Sequence, residues 1–486
     1  SYIKLTQALD CHPIEKRRSS NLIKRRFTMT PIAIKRNKTM STITKYAQHA
    51  PRYTSYPTAL KFEPLEDDIL RSALTVSKAS AVSLYIHIPF CKTLCYYCGC
   101  NKLVTRHNEK ADEYLHYLEK EVLTKRYLAE GKHIVSLHLG GGSPSFLNET
   151  QHAYLMYLLK KHFSFDASAE LSIELDPRNV DKRYLQHLRS LGYTRISFGL
   201  QDTDYNVQKT INRVQSTSHI AELVFEARSL GFESVNLDLI YGLPNQSLET
   251  FKSTIAATKA MMPDRISLFS YAHLPERFAA QRKFAPETLP NSEEKAALYK
   301  LAVNNFTSVG YEMIGLDHFA LSTDSLAIAK NQGELHRNFQ GYTLRGDTDL
   351  VGIGVSAIST VGNAFAQNAK DLKDYYTRID QQQPSAVVGL TLSSDDLIRR
   401  DVISSLMCNL EVNKPYIEKK HHIIFDEYFS GALNNLSGLE DDGLVRLSPH
   451  SISIPEKARI YVRAICARFD AYLNVSETLS NYSKAI

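Results

Sequence analysis

From residue 81 onward the chain repeats one pattern six times, and this repeat constrains the fold more than any other feature. Apolar, β-branched runs at 82–88, 134–139, 171–175, 195–200, 234–240 and 265–271 have the composition of buried strands. Between them, stretches at 111–128, 153–162, 182–191, 219–230 and 249–261 have helical period. Gly192, Gly231 and Gly310 punctuate the joints, where glycine ends helices. Strand–helix units in series build parallel strands through right-handed crossovers. The expected fold class is α/β, an open partial (β/α)6 barrel. A doubly wound sheet is the competing arrangement, because spacing alone does not fix closure.

Five segments follow from this frame. Residues 1–39 form a basic extension. Residues 40–80 hold a turn-rich stretch from Pro51 to Pro57 and then a helix. The barrel is expected over 81–335. Residues 336–391, rich in Gly and Asp at first, read as loops and a connector with one short strand. Residues 392–486 read as a small helical domain, with helices at 395–409 and 457–473.

Composition narrows the function classes. A hydrophobic content of 43% and a charged content of 23% suit a soluble globular chain. No apolar run is long enough for a membrane span, and no apolar segment marks a secretory signal. Residues 1–39 carry ten Lys or Arg against Asp10 and Glu15, which is more than the whole net charge of +6. The remainder is near neutral, so a nucleic-acid surface is not expected. The basic extension has three readings: vector-derived or upstream-translated residues before Met40, an Arg-rich targeting segment, or a solvated arm.

Four of seven cysteines, Cys91, Cys95, Cys98 and Cys100, lie within ten residues. An odd, clustered set makes a poor disulfide framework and points to a reducing compartment, hence the cytoplasm, and to a metal site. Cys91-x3-Cys95-x2-Cys98 directly follows the first strand, at the end where such folds keep their sites. Three thiolates on a four-iron cube leave one iron open, as chemistry requires. Structural zinc prefers two separated ligand pairs, and a plain ferredoxin uses four thiolates. Cys98-x-Cys100 is too tight for both thiols to bind one cube, so Cys100 is expected beside the cluster. Gly140, Gly141 and Gly142 follow the second strand, where bare backbone lets a ligand approach. A structural turn is the plainer explanation of the same glycines. Glu174, Gln201, Asp238 and Ala272 fall at the ends of strands three to six, as in a ligand-lined barrel mouth.

The C-x3-C-x2-C spacing is the signature of the radical S-adenosylmethionine superfamily. Tyr85-Ile86-His87-Ile88-Pro89-Phe90-Cys91, Cys98-Gly99-Cys100-Asn101-Lys102, Gly140 to Pro144, Glu174-Leu175-Asp176-Pro177 and Ile240 to Pro244 resemble the oxygen-independent coproporphyrinogen III oxidase family. So do Arg52 to Pro57 and His336 to Tyr342. The resemblance runs from about residue 45 to the end.

It implies a 4Fe–4S cluster on Cys91, Cys95 and Cys98, and two S-adenosylmethionine molecules. Tyr85, Gly141 and Glu174 match the molecule on the cluster. Tyr97, Gly142, Ser143, Gln201, Arg213, Asp238 and Ala272 match the second, and Ile358 also lines these pockets. Ser143 stands where the family often has threonine. Tyr85, His87, Glu174, Arg213 and Cys100 are the expected catalytic set. The implied reaction turns two propionates of coproporphyrinogen III into vinyl groups, giving protoporphyrinogen IX. A 5′-deoxyadenosyl radical removes hydrogen from an unactivated carbon, which acid–base groups cannot do. The implied partner is a flavodoxin or ferredoxin, and a monomer is expected. Residues 40–80 would cover the substrate. Its carboxylates call for cations, with Arg52, Arg213, Arg337 and His87 as candidates, each of which also reads as an ordinary salt-bridge or capping residue. Tyr53 and Tyr56 would pack on the tetrapyrrole or, as an equal alternative, in an aromatic core. The rival reading is a haem-binding relative that keeps the cluster without the decarboxylase activity. Such relatives usually lack the arginine–tyrosine segment and the Cys98-x-Cys100 ending, and this chain has both.

Overall fold

A computed structural model of the protein describes residues 41–473 and 482–484. The readings of residues 1–39 lie outside these.

All six expected strands form: β1 (Ala81–Ile88), β2 (His133–Gly141), β3 (Phe165–Leu175), β4 (Arg195–Gln201), β5 (Ser234–Tyr241) and β6 (Arg265–Ser270). They pair in parallel in chain order. The expected helices join them: α1 (Glu109–Lys125), α2 (Glu149–His162), α3 (Lys182–Leu191), α4 (Thr217–Ser229) and α5 (Leu248–Met261). Their ends are chemically marked. Asn148 and Gln151 close a capping box on α2, and Ser247 and Thr250 close one on α5. Gly192 ends α3 at a φ of 103°, a left-handed conformation that glycine adopts cheaply.

Alternation along each strand sorts side chains to two faces. Leu137, Leu139, Ile173, Leu175, Phe198, Leu237 and Leu239 are buried in the main hydrophobic core. The intervening residues His138, Ser172, Ser197, Asn236, Asp238 and Ser267 line a cavity of about 360 Å³ on the barrel's inner face. The apolar core thus lies outside the strands and the polar groups lie within.

The sheet extends beyond the six strands. β7 (Tyr311–Ile314) and β8 (His318–Leu321) follow β6 antiparallel, in the order β6-β8-β7. On the other side β9 (Thr348–Ile353) runs parallel to β1. β10 (Ile358–Val361), β11 (Ala364–Asn368) and β12 (Ala386–Thr391) continue antiparallel to the edge at Glu63–Pro64. The result is one open sheet of 13 strands. Residues 336–365 therefore hold more strand than the single short one expected. They open with a hairpin of His336–Asn338 and Gly341–Thr343, then supply β9 and β10. The Gly- and Asp-rich composition misleads here because Asp349 is satisfied inside the sheet. It meets Lys132 Nζ at 2.8 Å, Ser77 Oγ at 2.7 Å and the Gly362 N–H at 2.9 Å.

The C-terminal region is mainly helical and begins with Ser394–Asn409. Its core takes in Tyr46, Tyr53 and Tyr56 from the N-terminal segment. The expected helix at 457–473 is instead a 3-10 turn, Glu456–Tyr461, followed by the short helix Val462–Cys466. Two buried arginines use the irregular backbone there: Arg459 bonds the Gly315 carbonyl, and Arg463 Nε bonds the Pro51 carbonyl at 2.9 Å. Among the described residues no helix is long and apolar enough to cross a membrane.

Candidate active site

The cysteine loop leaves β1 at Pro89. It is closed at its neck, where Phe90–Cys91 pairs in parallel with Leu103–Val104. The Tyr96 N–H bonds the Ile211 carbonyl at 3.0 Å, and Asn212 Nδ2 bonds the Leu94 carbonyl at 2.8 Å. The loop is thus pinned to the segment that follows β4. Cys91, Cys95 and Cys98 line one cavity of about 200 Å³. Among the described residues no group of three or more His, Cys, Asp or Glu is placed to hold a single metal ion. The three thiols share a cavity wall instead, and soft thiolates on one loop suit an iron–sulfur cluster.

Cations surround this wall. Arg178 Nη2 and Arg213 Nη1 each lie 3.5 Å from Cys95 Sγ. Asp176 holds both guanidiniums, at 2.6 Å and 3.5 Å. Burial opposes the charge of Arg213, but Tyr97, Asp176 and Cys95 outweigh it, and the group stays cationic. Lys102 Nζ reaches the Cys98 carbonyl at 2.9 Å. A hydrogen bond from Cys100 brings the Cys98 thiol down to about 6, whereas burial pushes Cys91 up to about 12. Cys100 is raised by the same bond with Cys98.

Tyr85 and His87 sit near the end of β1. The Asn101 carbonyl lies 3.0 Å from His87 Nε2 and can only accept, so Nε2 carries the proton. Nδ1 then accepts from Tyr85 Oη at 3.1 Å. Burial lowers the imidazole to about 4 and keeps it neutral. Gly141, at φ 118°, lies against the His87 ring, where a Cβ would come within 2.6 Å. A Cβ on Gly142 would come within 2.6 Å of the Pro89 carbonyl oxygen. Both positions need the bare backbone that the sequence supplies. Glu174 takes His138 Nε2 at 3.2 Å and leaves its side chain 46% exposed to the cavities.

The other candidates are distributed over two cavities. Tyr85, Gly141, Glu174 and Ile358 line a cavity of about 800 Å³, as does Ala272. Tyr97, Gly142, Ser143, Gln201, Arg213 and Asp238 line the 200 Å³ cavity beside the thiols. The two sets assigned to two ligand molecules therefore border two adjoining spaces that share Gly141 and Glu174, and Ala272 stands with the first set. Gln201 reaches its place with φ 63°, a strained setting for a non-glycine residue. Burial raises the Asp238 carboxyl, which accepts from Ser197 Oγ at 2.9 Å and Asn236 Nδ2 at 2.7 Å. Ser143 Oγ pairs with Ser145 Oγ at 2.8 Å.

The substrate candidates divide. Arg52 lines the large cavity and donates to the Ser270 carbonyl at 2.7 Å. Arg213 faces the thiols, not the large cavity. His87, being neutral, supplies no cation. Arg337 points elsewhere: its guanidinium binds Tyr342 Oη at 2.6 Å and Asp317 at 3.7 Å, an ordinary internal pair. Tyr53 borders the cavity and bonds Asp470 Oδ2 at 3.1 Å. Tyr56 is core, 2% exposed, with its hydroxyl accepting from the Ala471 N–H.

Several site residues escaped the sequence. Asp176 and Arg178 lie in or beside a motif already singled out, yet only the fold brings Arg178 to Cys95. Gln281, 1% exposed, donates to the carbonyls of Tyr97 at 3.1 Å and Ala272 at 3.2 Å, tying both ligand walls together. Arg277 and Lys370 add cations to the large cavity.

Comparison with known proteins agrees with this geometry. The radical SAM superfamily model matches residues 85–257. The oxygen-independent coproporphyrinogen III oxidase of Salmonella typhimurium is 46% identical over 448 residues, 92% of this chain and 98% of its own length. That of Pseudomonas aeruginosa is 43% identical over 437 residues, 89% of this chain and 95% of its own. A solved coproporphyrinogen III oxidase from Escherichia coli, described as a radical SAM enzyme, superposes with a TM-score of 0.85 at 47% identity. It covers 87% of this chain and 98% of its own.

Proposed function

The chain belongs to the oxygen-independent coproporphyrinogen III oxidase family of radical S-adenosylmethionine enzymes, and from that premise we propose that it turns two propionates of coproporphyrinogen III into vinyl groups, giving protoporphyrinogen IX. One observation carries the reading. Cys100, Gly141 and Glu174 line both the thiol-bearing cavity and the 800 Å³ cavity, so cluster chemistry and a large anionic substrate would meet at these three residues.

Cys91, Cys95 and Cys98 would hold a 4Fe–4S cluster, with Arg178 and Arg213 offsetting thiolate charge. When bound, adenosylmethionine supplies a 5′-deoxyadenosyl radical on one-electron reduction. The Gly141 and Gly142 backbone and the Glu174 carboxylate suit its amino-acid and ribose groups. A second molecule would lie against Tyr97, Ser143, Gln201, Arg213 and Asp238, with Ala272 at its edge. The spread of the two residue sets over two cavities that meet at Gly141 and Glu174 supports the count of two. Tyr85 orients through its bond to His87, and Arg52, Arg277 and Lys370 attract carboxylates. An acidic one-electron donor such as a flavodoxin or ferredoxin, a monomeric state and a cytoplasmic setting complete the proposal. The Arg52–Tyr53 segment on the large cavity favours it over the haem-binding reading.

Anaerobic incubation with coproporphyrinogen III, adenosylmethionine and a reductant tests it. The expected yield is two CO2 and two 5′-deoxyadenosine per porphyrinogen. A fully loaded cluster that forms neither product would refute it. Cys91→Ala, Cys95→Ala and Cys98→Ala should each lose the brown cluster absorbance, whereas Cys100→Ala should keep it and lose turnover.

A further inference from the structure

A third cavity, of about 310 Å³, is lined in part by Tyr53, Thr54, Ser55, Phe339 and Leu350. The same five residues also line the 800 Å³ cavity, so the two spaces adjoin. The third cavity contains none of the cysteine loop and none of Tyr85, His87, Gly141 or Glu174. Its chemistry is cationic. Arg345 and Arg400 line it, and neither side chain makes a hydrogen bond or an ion pair among the described residues. The two carboxylates present are already engaged: Asp401 with Lys420 and His421, both at 2.7 Å, and Asp349 with Lys132 at 2.8 Å. Two half-buried guanidiniums beside spoken-for acids call for an external anion.

The proposed substrate has four carboxylates of two fates. Two leave as CO2 and must lie near Glu174 and Cys100. Two persist through both turnovers and profit from fixed, planar cations away from the chemistry. We propose that Arg345 and Arg400 bind the propionates that are not decarboxylated, and so set which pyrrole rings face the active site. This rests on the activity proposed above.

The test compares Arg345→Gln, Arg400→Gln and Arg400→Lys with wild type in the anaerobic assay, each reconstituted and checked by cluster absorbance. Each Gln variant should raise the KM for coproporphyrinogen III about tenfold or more, with a smaller change in kcat, as loss of one charge-assisted contact predicts. Arg400→Lys should recover part of that loss. The monovinyl tricarboxylic intermediate, supplied as substrate, should show the same KM increase, because its persisting carboxylates are unchanged. Unaltered KM in both Gln variants overturns the subsite while wild-type turnover upholds the activity. An increase for the tetracarboxylate alone also overturns it, by assigning these arginines to a reacting propionate. If Arg400→Gln fails to load the cluster, Arg345→Gln and Arg400→Lys decide. No turnover by wild type overturns the activity itself.

Discussion

His87 shows how the fold sets a single residue's chemistry. Its ring is fixed between the Tyr85 hydroxyl and the Asn101 carbonyl, and burial lowers it to about 4 from an ordinary 6.5. The unfolded chain therefore takes up a proton first as pH falls. Stability is unaffected by this group above 6.5 and declines from 6.5 towards 4, by up to about 3 kcal/mol. Urea unfolding of cluster-free protein at pH 4.5 and 7.5 should show a smaller difference for His87→Gln than for wild type; an equal difference would mean that His87 is not buried neutral. The three cysteines were legible because their spacing is local and follows a strand. Arg178 and Gln281 were not, because their partners, Cys95 and Tyr97, lie 83 and 184 residues away. Arg337 stood open between a substrate cation and an ordinary salt bridge, and the fold selects the second by bringing it to Asp317.

At the scale of elements, α1 anchors the first strand through a buried polar group. Glu121 accepts from the Gly354 N–H at 2.7 Å, Asn368 Nδ2 at 2.6 Å, Tyr375 Oη at 2.5 Å and Ser385 Oγ at 2.7 Å, and pairs with Lys125 at 2.8 Å. On the same helix Tyr114 donates to the His87 carbonyl at 2.7 Å and accepts from the Val355 N–H at 3.0 Å. The helix thus clamps the end of β1 to the turn that follows β9. Glu121→Ala takes the acceptor from the Gly354 N–H and the Tyr375 hydroxyl and leaves the buried Lys125 with only the neutral Gly352 carbonyl and Asn368 Oδ1, at 2.9 and 2.8 Å, so it should cost about 3–5 kcal/mol. Thermal unfolding would register this as a large drop in Tm, with Glu121→Gln between; an unchanged Tm in the alanine variant would contradict the clamp. Helical period identified α1, but Glu121 and Lys125, four apart, look like a solvated pair in sequence. Their burial follows from β9 and β11 closing over them, and β9 itself was hidden by Asp349 within it and Asp347 just before it.

The whole molecule places the cluster loop, the barrel mouth and the N-terminal segment around connected spaces. Parallel order over six strands follows from the repeat, because each helix returns the chain to the same edge. The flanking antiparallel strands and the entry of Tyr46, Tyr53 and Tyr56 into the C-terminal core do not follow, since both are long-range pairings without local signal. The central claim is that a radical formed beside Cys91, Cys95 and Cys98 acts on a propionate held in the 800 Å³ cavity. Coproporphyrinogen III deuterated at the β-carbons of its propionates tests this most directly, with mass analysis of the 5′-deoxyadenosine formed. The account predicts one deuterium in each 5′-deoxyadenosine, in amounts equal to the vinyl groups made. Vinyl product accompanied by unlabelled 5′-deoxyadenosine would contradict it.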